Sequence, residues 1–254
     1  MKTLNFIITL LLLSLNTLGQ EDKKKIGSIA TDRPDQSEST SMLPKKFFQV
    51  ETGGFYESVN DVNNYTYNTT LLRYGLLDNF ELRVAFSNTE SFYQNQTLSK
   101  GFSPLTIGGK VNIAKENKSL PEITLVGHLN LPFLASKDYK TINSAINFRF
   151  AFSHTLNEKS SLSYNLGMAW NGNTPEPSYI YTLSYGHSIS SKIGWFLEVY
   201  GDLPESSMAS HKWDTGFLYL FSDNLQFDIS GGTGITNNTQ DLYLSAGLSF
   251  RLPQ

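Results

Sequence analysis

Cysteine is absent from all 254 residues. Small exported domains commonly rely on disulfides, so this chain must close its structure in another way. The same absence excludes thiol catalysis, thiolate metal sites and a cysteine-linked lipid anchor. Charge is also scarce: Asp, Glu, Lys and Arg make up 17% of the chain, against roughly 25% in an average soluble domain. The net charge of −3 argues against a nucleic-acid partner. Long apolar runs are missing too. "LNFIITLLLLSL" (4–15) falls short of the roughly 18–20 residues of a membrane helix. With Lys2 before it and Gly19 in "NTLGQ" after it, it reads as a secretory signal peptide over residues 1–20.

What the chain has in abundance is alternation. In "DLYLSAGLSFRL", Leu242, Leu244, Ala246, Leu248, Phe250 and Leu252 share one face, and polar or small residues share the other. The same period of two recurs in "NFELRVAFS", "INFRFAF", "SLSYNLGMAW", "KIGWFLEVY" and "LQFDIS", and a period of two marks strands. The pattern predicts about 12 strands: 46–57, 65–77, 79–88, 105–115, 121–131, 143–154, 160–171, 178–188, 191–201, 211–221, 224–234 and 240–252. Tight turns at "LLDNF", "SISSK" and "FSDNL" alternate with longer polar links at 89–104, 132–141, 172–177 and 202–210. An even strand count with short turns on one rim and longer loops on the other fits an all-β, up-and-down antiparallel transmembrane barrel. Residues 46–254 are assigned to it, and residues 21–45 to a periplasmic N-terminal segment.

Alternation alone does not say which face meets lipid. Two features place the apolar face outward. The polar face is mostly Ser, Thr, Gly and Asn, where a soluble exterior would carry many more Lys and Glu. Aromatics also gather near strand ends (Tyr65, Tyr67, Trp170, Tyr179, Tyr181, Trp195 and Trp213), the position of interfacial girdles. Closure then answers the lack of cysteine, because a closed sheet pairs every backbone group and leaves no edge.

The charges left for the lumen have mixed signs: Glu51, Arg73, Glu81, Arg83, Lys110, Arg149, Glu198, Asp214, Asp228 and Arg251, with His128 among them. The tight turn at 77–79 sets Arg73 opposite Arg83 and Glu81 on the diagonal, within cross-strand reach. Such a set either pairs internally or selects a passing solute, and both readings stand. In the 211–221 segment Leu218 and Leu220 share a face with Asp214, which makes its register the least regular. His187 is read with His128 as lumen-facing, and His154 and His211 as rim residues. No histidine adjoins a recognisable nucleophile, so no catalytic residue is assigned. No His pair has metal-ligand spacing, so neither metal nor cofactor is expected. Gly231, Gly232 and Gly234 lack the Lys and following helix of a phosphate loop.

Three stretches carry a family resemblance. "TDRPD" with Glu38 and Ser39 precedes "LPKKFFQVETGGFY", which contains Gln-x-Glu-x-Gly. "LLRYGLLDNFELRV" spans 71–84, and "LTIGGKVNI" spans 105–113. Over about 31–113 the chain resembles the outer-membrane family named for the MetA pathway of phenol degradation. Lys46 stands where a glycine is common, and Ser103-Pro104 where Gly-Asp is usual. The resemblance implies a Gram-negative outer-membrane barrel of transporter-like character, with phenolic compounds suggested by the name alone.

The expected function is a narrow, porin-like channel or transporter for small solutes, hydrophobic or aromatic ones among them. A structural or adhesive barrel with a closed lumen shares every sequence feature. An outer-membrane hydrolase would need a nucleophile and base that the sequence does not provide. Outer-membrane lipid and the barrel-assembly machinery are the partners the fold implies. "ATDRPDQSEST" (30–40) lies just before the first strand. Pro34 resists helix, and Asp32, Asp35 and Glu38, with Arg33 between them, are within reach of basic lumen groups. The stretch is read either as a plug that folds back onto Arg73, Arg83 or Lys110, or as a flexible linker.

Overall fold

A computed structural model describes residues 26–236, 239 and 242–253. The expected signal peptide, 1–20, and residues 21–25 lie outside the described residues. Thirteen strands run in chain order: β1 Phe48–Val59, β2 Val62–Leu77, β3 Phe80–Tyr93, β4 Gln96–Phe102, β5 Leu105–Ala114, β6 Glu122–Leu131, β7 Ala145–Asn157, β8 Ser160–Trp170, β9 Ser178–Ser188, β10 Ile193–Pro204, β11 Ser210–Ser222, β12 Leu225–Gly234 and β13 Leu242–Leu252. Among the described residues every strand pairing is antiparallel and joins chain neighbours, except that β1 also pairs with β13 and β3 with β5. The β1–β13 ladder closes the barrel. The long β3 pairs with β4 through its second half and with β5 through its first half. β4 and β5 therefore act as one stave broken at Ser103-Pro104, and the barrel has twelve staves in up-and-down order.

This arrangement corrects the polar link expected at 89–104. That stretch is strand on both sides of a turn at Gln94-Asn95, whose φ values of 46° and 64° are those of a tight hairpin turn. Asn60-Asp61 turns the β1–β2 hairpin in the same way, at 49° and 65°. Ser, Thr and Asn fill these strand extensions, so no apolar alternation marks them. The exposed side of β4 is covered by the 132–144 link. Ser136 N donates to Phe102 O (2.9 Å), Phe102 N to Ser136 Oγ (2.9 Å) and Lys100 N to Asp138 Oδ2 (3.1 Å). An otherwise open edge is thereby hydrogen-bonded.

The alternation resolves cleanly into two faces. On β13, Tyr243, Ser245, Gly247, Ser249 and Arg251 are buried, while Leu242, Leu244, Ala246 and Leu248 are exposed. Outward aromatics form two belts. Trp170, Tyr179, Tyr181 and Trp213 lie toward one rim, and Tyr164, Tyr185, Trp195 and Tyr219 toward the other. Six residues separate Trp213 from Tyr219 on β11, roughly 20 Å at the strand rise and close to the apolar band of a membrane barrel. Ile229, the register partner of Phe217, lies within this band. Replacing Ile229 with Arg is expected to destabilise the membrane-inserted barrel by about 2–4 kcal/mol. Urea unfolding in lipid vesicles measures this, and Asn95→Arg at the far turn should leave the midpoint unchanged.

His187 is a correction. It pairs with outward Trp195, stacks on Tyr185 and meets Ser160 Oγ at 2.9 Å. It therefore belongs to the outer belt. On β11, Leu218 and Leu220 do share the inward face with Asp214.

Candidate functional site

Residues 26–47 form no strand before β1, yet 29–43 lie inside the barrel, with 26–28 and 44–47 at the rim. They enter at the rim that carries the 78–79, 158–159 and 223–224 turns. There Ile29 N donates to Asp223 O (2.7 Å), and Arg251 donates to Gly27 O (2.7 Å) and Asn224 Oδ1 (2.8 Å). The segment then rises along β12 and β13. Gln226 Nε2 donates to Thr31 Oγ1 (2.8 Å), and Arg33 Nη2 donates to Ser245 Oγ (2.9 Å) and pairs with Asp228 (3.1 Å). It crosses the lumen at 35–38. Gln36 N donates to Glu198 Oε2 (2.6 Å), Ser37 Oγ bonds Glu198 and Thr182, and Arg149 Nη1 donates to Gln36 O (2.9 Å). Glu38 exchanges two hydrogen bonds with the Asn165 side chain. The segment returns past Thr124 and Glu122 to Leu43, whose N–H donates to Glu81 Oε2 (3.0 Å).

The charged centre is Asp32. Its carboxylate meets Arg83 at 3.0 Å, Lys110 at 3.1 Å and Arg73 at 3.3 Å. Arg73 also pairs with Glu51 (2.7 Å) and, through two nitrogens, with Glu81 (2.7 and 2.9 Å). Arg83 takes Glu38 at 2.9 Å. All four wall residues named here, with Lys110, are buried. His128 faces inward and contacts Asn147 (3.2 Å). Asp35 makes none of these ion pairs. It accepts from Ser184 Oγ at 3.4 Å and lies with Glu198 and Asp214.

The geometry shows what the Gln-x-Glu-x-Gly stretch does. Gln49, Glu51 and Gly53 are alternate inward positions of β1, and each meets a successive part of the segment. Gln49 Nε2 donates to Ala30 O (2.8 Å), and Glu51 Oε2 accepts from Asp32 N (2.9 Å). Gly53 and its register partner Gly247 make room for the Arg33 guanidinium, which a Cβ at either position would strike. Arg73, Glu81 and Arg83 of "LLRYGLLDNFELRV" and Lys110 of "LTIGGKVNI" complete the same socket. Lys46, at φ 68°, takes the left-handed conformation that favours glycine. Thr124, Asn165 and Thr182 carry no signal of a site in the sequence. Their inward parity was legible, but their partner, a segment with no periodicity, was not.

Residues 31–252 match the family model described as "Putative MetA-pathway of phenol degradation". The chain belongs to this family. The match extends over the barrel and the inserted segment from Thr31 onward. Among solved structures, an outer-membrane channel from Pseudomonas putida F1 is 12% identical, with a TM-score of 0.67, 86% of this chain and 100% of that one covered. The NanC porin is 8% identical, with a TM-score of 0.56 and coverage of 79% and 98%. The KdgM porin is 8% identical, with a TM-score of 0.53 and coverage of 80% and 98%. At these identities the likeness is one of fold. No curated protein matches the sequence.

Apart from Glu51 and Glu81, which pair with Arg73, and Arg251 at the entry rim, the buried charges of the lumen wall divide by sector. Arg73, Arg83, Lys110 and Arg149 stand on β2, β3, β5 and β7, while Glu198, Asp214 and Asp228 stand on β10, β11 and β12. The segment answers this division in part: Asp32 and Glu38 face the basic sector and Arg33 faces the acidic one. Burial alone would push Asp32 up, but Arg73, Lys110 and Arg83 outweigh it and hold the carboxyl below its ordinary range. Burial likewise opposes Arg83 at Glu38, and Arg83 prevails, so Glu38 is lowered. Asp35 goes the other way: burial, then Glu198, Asp214 and Asp32, hold it well above the carboxylate range.

These directions give a pH dependence for insertion. A free Asp titrates near 3.9. Below that value Asp35 is protonated whether inserted or released, so its contribution is fully present. As pH rises from about 4, released Asp35 ionises while inserted Asp35 stays protonated, and insertion weakens until the raised folded value is passed. Asp32 and Glu38 have the opposite sign, losing their contribution only as pH falls through the acid range. Protease accessibility of residues 26–45 is therefore expected to increase from mildly acid to alkaline pH. Asp35→Asn should flatten most of that slope, although Glu198 and Asp214 face the same point.

Proposed function

We propose that this protein is a narrow outer-membrane channel for small solutes, and that residues 26–43 are its gate. The observation that carries the reading is the chemistry of the inserted segment. Ile29 and Leu43 are its buried aliphatic side chains, and hydrogen bonds and ion pairs tie the segment to the wall from Gly27 to Leu43. A segment held by polar contacts in a polar lumen can exchange them for water on release, whereas an apolar plug could not. The solved relatives named as channel and porins support the same reading. Export before insertion puts the segment's entry rim on the periplasmic side. Lipid then surrounds the outward face, and the barrel-assembly machinery inserts it. The family's title makes phenolic compounds the first solutes to test. The structural relatives are channels and porins, which supports a transport role without catalysis.

A permanently closed structural or adhesive barrel is the second reading, and the buried network around Asp32 favours it. One experiment separates the two. Ser37 Oγ and Thr182 Oγ1 are hydrogen-bonded, so cysteines at both positions bring a segment sulfur and a wall sulfur together for oxidation to a disulfide. In planar bilayers the double variant is expected to conduct or pass solute only after reduction. Absence of conductance and of phenol uptake in wild type and reduced variant alike would exclude the channel. Equal conductance in both redox states would exclude the gate.

A further inference from the structure

The barrel closes where β1 meets β13, and the middle of that seam is thin. Gly53 pairs there with Gly247 on the inward face, and the adjacent outward rung pairs Gly54 with Ala246. Cross-strand side-chain pairs stabilise neighbouring strands, and glycine weakens a strand interior, so these two rungs rest on their backbone bonds. The other ladder of β1 is interrupted at the same place, by a register shift against β2 between Gly53 and Phe55. On the outside, Gly54 and Ala246 line a groove flanked by Tyr56 and Leu244. The β2–β3 ladder, by contrast, carries Arg73↔Arg83, Leu71↔Ala85 and Thr69↔Ser87 on successive inward rungs.

Residues 27–33 run along this seam and bond to both sides of it. Gly27 O accepts from Arg251 on β13 (2.7 Å), Ala30 O from Gln49 on β1 (2.8 Å) and Thr31 Oγ1 from Gln226 on β12 (2.8 Å). Asp32 N donates to Glu51 on β1 (2.9 Å). Arg33 then lays its guanidinium over the Gly53–Gly247 rung, donates to Ser245 on β13 (2.9 Å) and pairs with Asp228 on β12 (3.1 Å). Arg33 and Asp228 stand 195 residues apart in sequence. These contacts therefore span a separation like that of the closing ladder itself, and such non-local pairing is the slowest to form.

We propose that residues 27–33 are a clasp that holds the first strand of the barrel to the last. Arg33 takes the place of the side-chain pair that the two glycine positions lack, and its charge-assisted bonds are of the stronger kind. The wall is bare at this rung because the group that fills it comes from the lumen. A seam that opened here would expose backbone groups to lipid, which cannot satisfy them. The lumen is crossed further along the segment, at 35–38, and the clasp needs no conducting barrel. It therefore stands or falls apart from the channel reading.

Hydrogen exchange of the full-length protein in detergent, read peptide by peptide by mass spectrometry, tests it. In Arg33→Ala the amides of β1 and β13 around the Gly53–Gly247 rung should exchange about tenfold faster or more. Those of the β7–β8 ladder should keep the wild-type rate. Gly247→Ala leaves Arg33 in the chain but denies the guanidinium its seat. It should quicken the same peptides, and it covers the case of an Arg33 variant that does not fold. Combining the two changes should add nothing to Arg33→Ala alone, because the new methyl then meets no guanidinium. Wild-type exchange at the seam in both single variants overturns the clasp. An equal rise in every ladder also overturns it, since Arg33 would then support the whole barrel and not its seam.

Discussion

A chain whose mature portion begins at Pro44 is expected to give a barrel with a large, steady conductance, where the full-length protein passes little current or opens only briefly. The barrel should survive the truncation because residues 26–43 contribute no rung to any ladder. Closure runs from β1 to β13 through Phe48↔Leu252 to Ser58↔Leu242, all of it C-terminal to the cut. What disappears is the material crossing the lumen at 35–38 between Glu198 and Asn165. A twelve-stave barrel is wider than the eight-stave kind that side chains alone can fill, so its wall should not close the gap.

The truncation should also change selectivity in a direction the charges fix. The segment carries Asp32, Asp35 and Glu38 against Arg33, so its loss removes net negative charge from the lumen. Arg83 and Lys110 lose the acids that neutralise them, while Arg73 keeps Glu51 and Glu81. The open variant should therefore shift toward anions, as a reversal potential in a salt gradient would report. Unchanged, near-zero conductance in a correctly folded truncation would mean that the wall itself closes the lumen and that residues 26–43 are not the gate.

The barrel was readable because its code is local. Outward Leu, Phe and Tyr alternate with inward Ser, Thr and Gly through most strands, and a turn such as Asp78-Asn79 fixes that Arg73 faces Arg83. That tight turn also put Glu81 beside Arg73 on the diagonal. The code failed where the outward side ceases to be apolar, as in Thr89–Phe102, where polar strands extend to the far turn. It failed differently at His187, whose parity follows Tyr185 and Leu183 outward although its chemistry suggests an interior. The socket was half legible. Its wall charges stand out in an otherwise uncharged face, whereas the contacts of Gln36 and Ser37 with Glu198 span some 160 residues and leave no periodic trace. Asp32 and Asp35, two acids of one short motif, end in opposite electrostatic surroundings. Only the path of the segment across the lumen decides that.

Replacing Arg73 with Ala should cause the largest loss of stability of any single change in the lumen, about 3–5 kcal/mol. Arg73 is the common partner of three carboxylates, and it also donates to Ala30 O (3.3 Å) and Ser41 O (3.2 Å) on the two limbs of the segment. Its removal leaves Glu51 and Glu81 buried and unpaired on the wall. Asp32 loses less, because Arg83 and Lys110 remain. The defect should therefore be felt by the barrel wall as well as by the segment: a lower urea midpoint for unfolding and faster proteolysis at 26–45. Arg73→Lys restores the charge but not the two-pronged contact with Glu81, because an ammonium lacks the planar fork; it should recover part of the loss. Arg73→Ala combined with Glu81→Gln should recover part by another route, since one stranded charge is gone. If Arg73→Ala alone unfolds at the wild-type midpoint, water entering the lumen solvates these carboxylates as well as the guanidinium does. The network would then be a means of seating the segment and not a source of barrel stability.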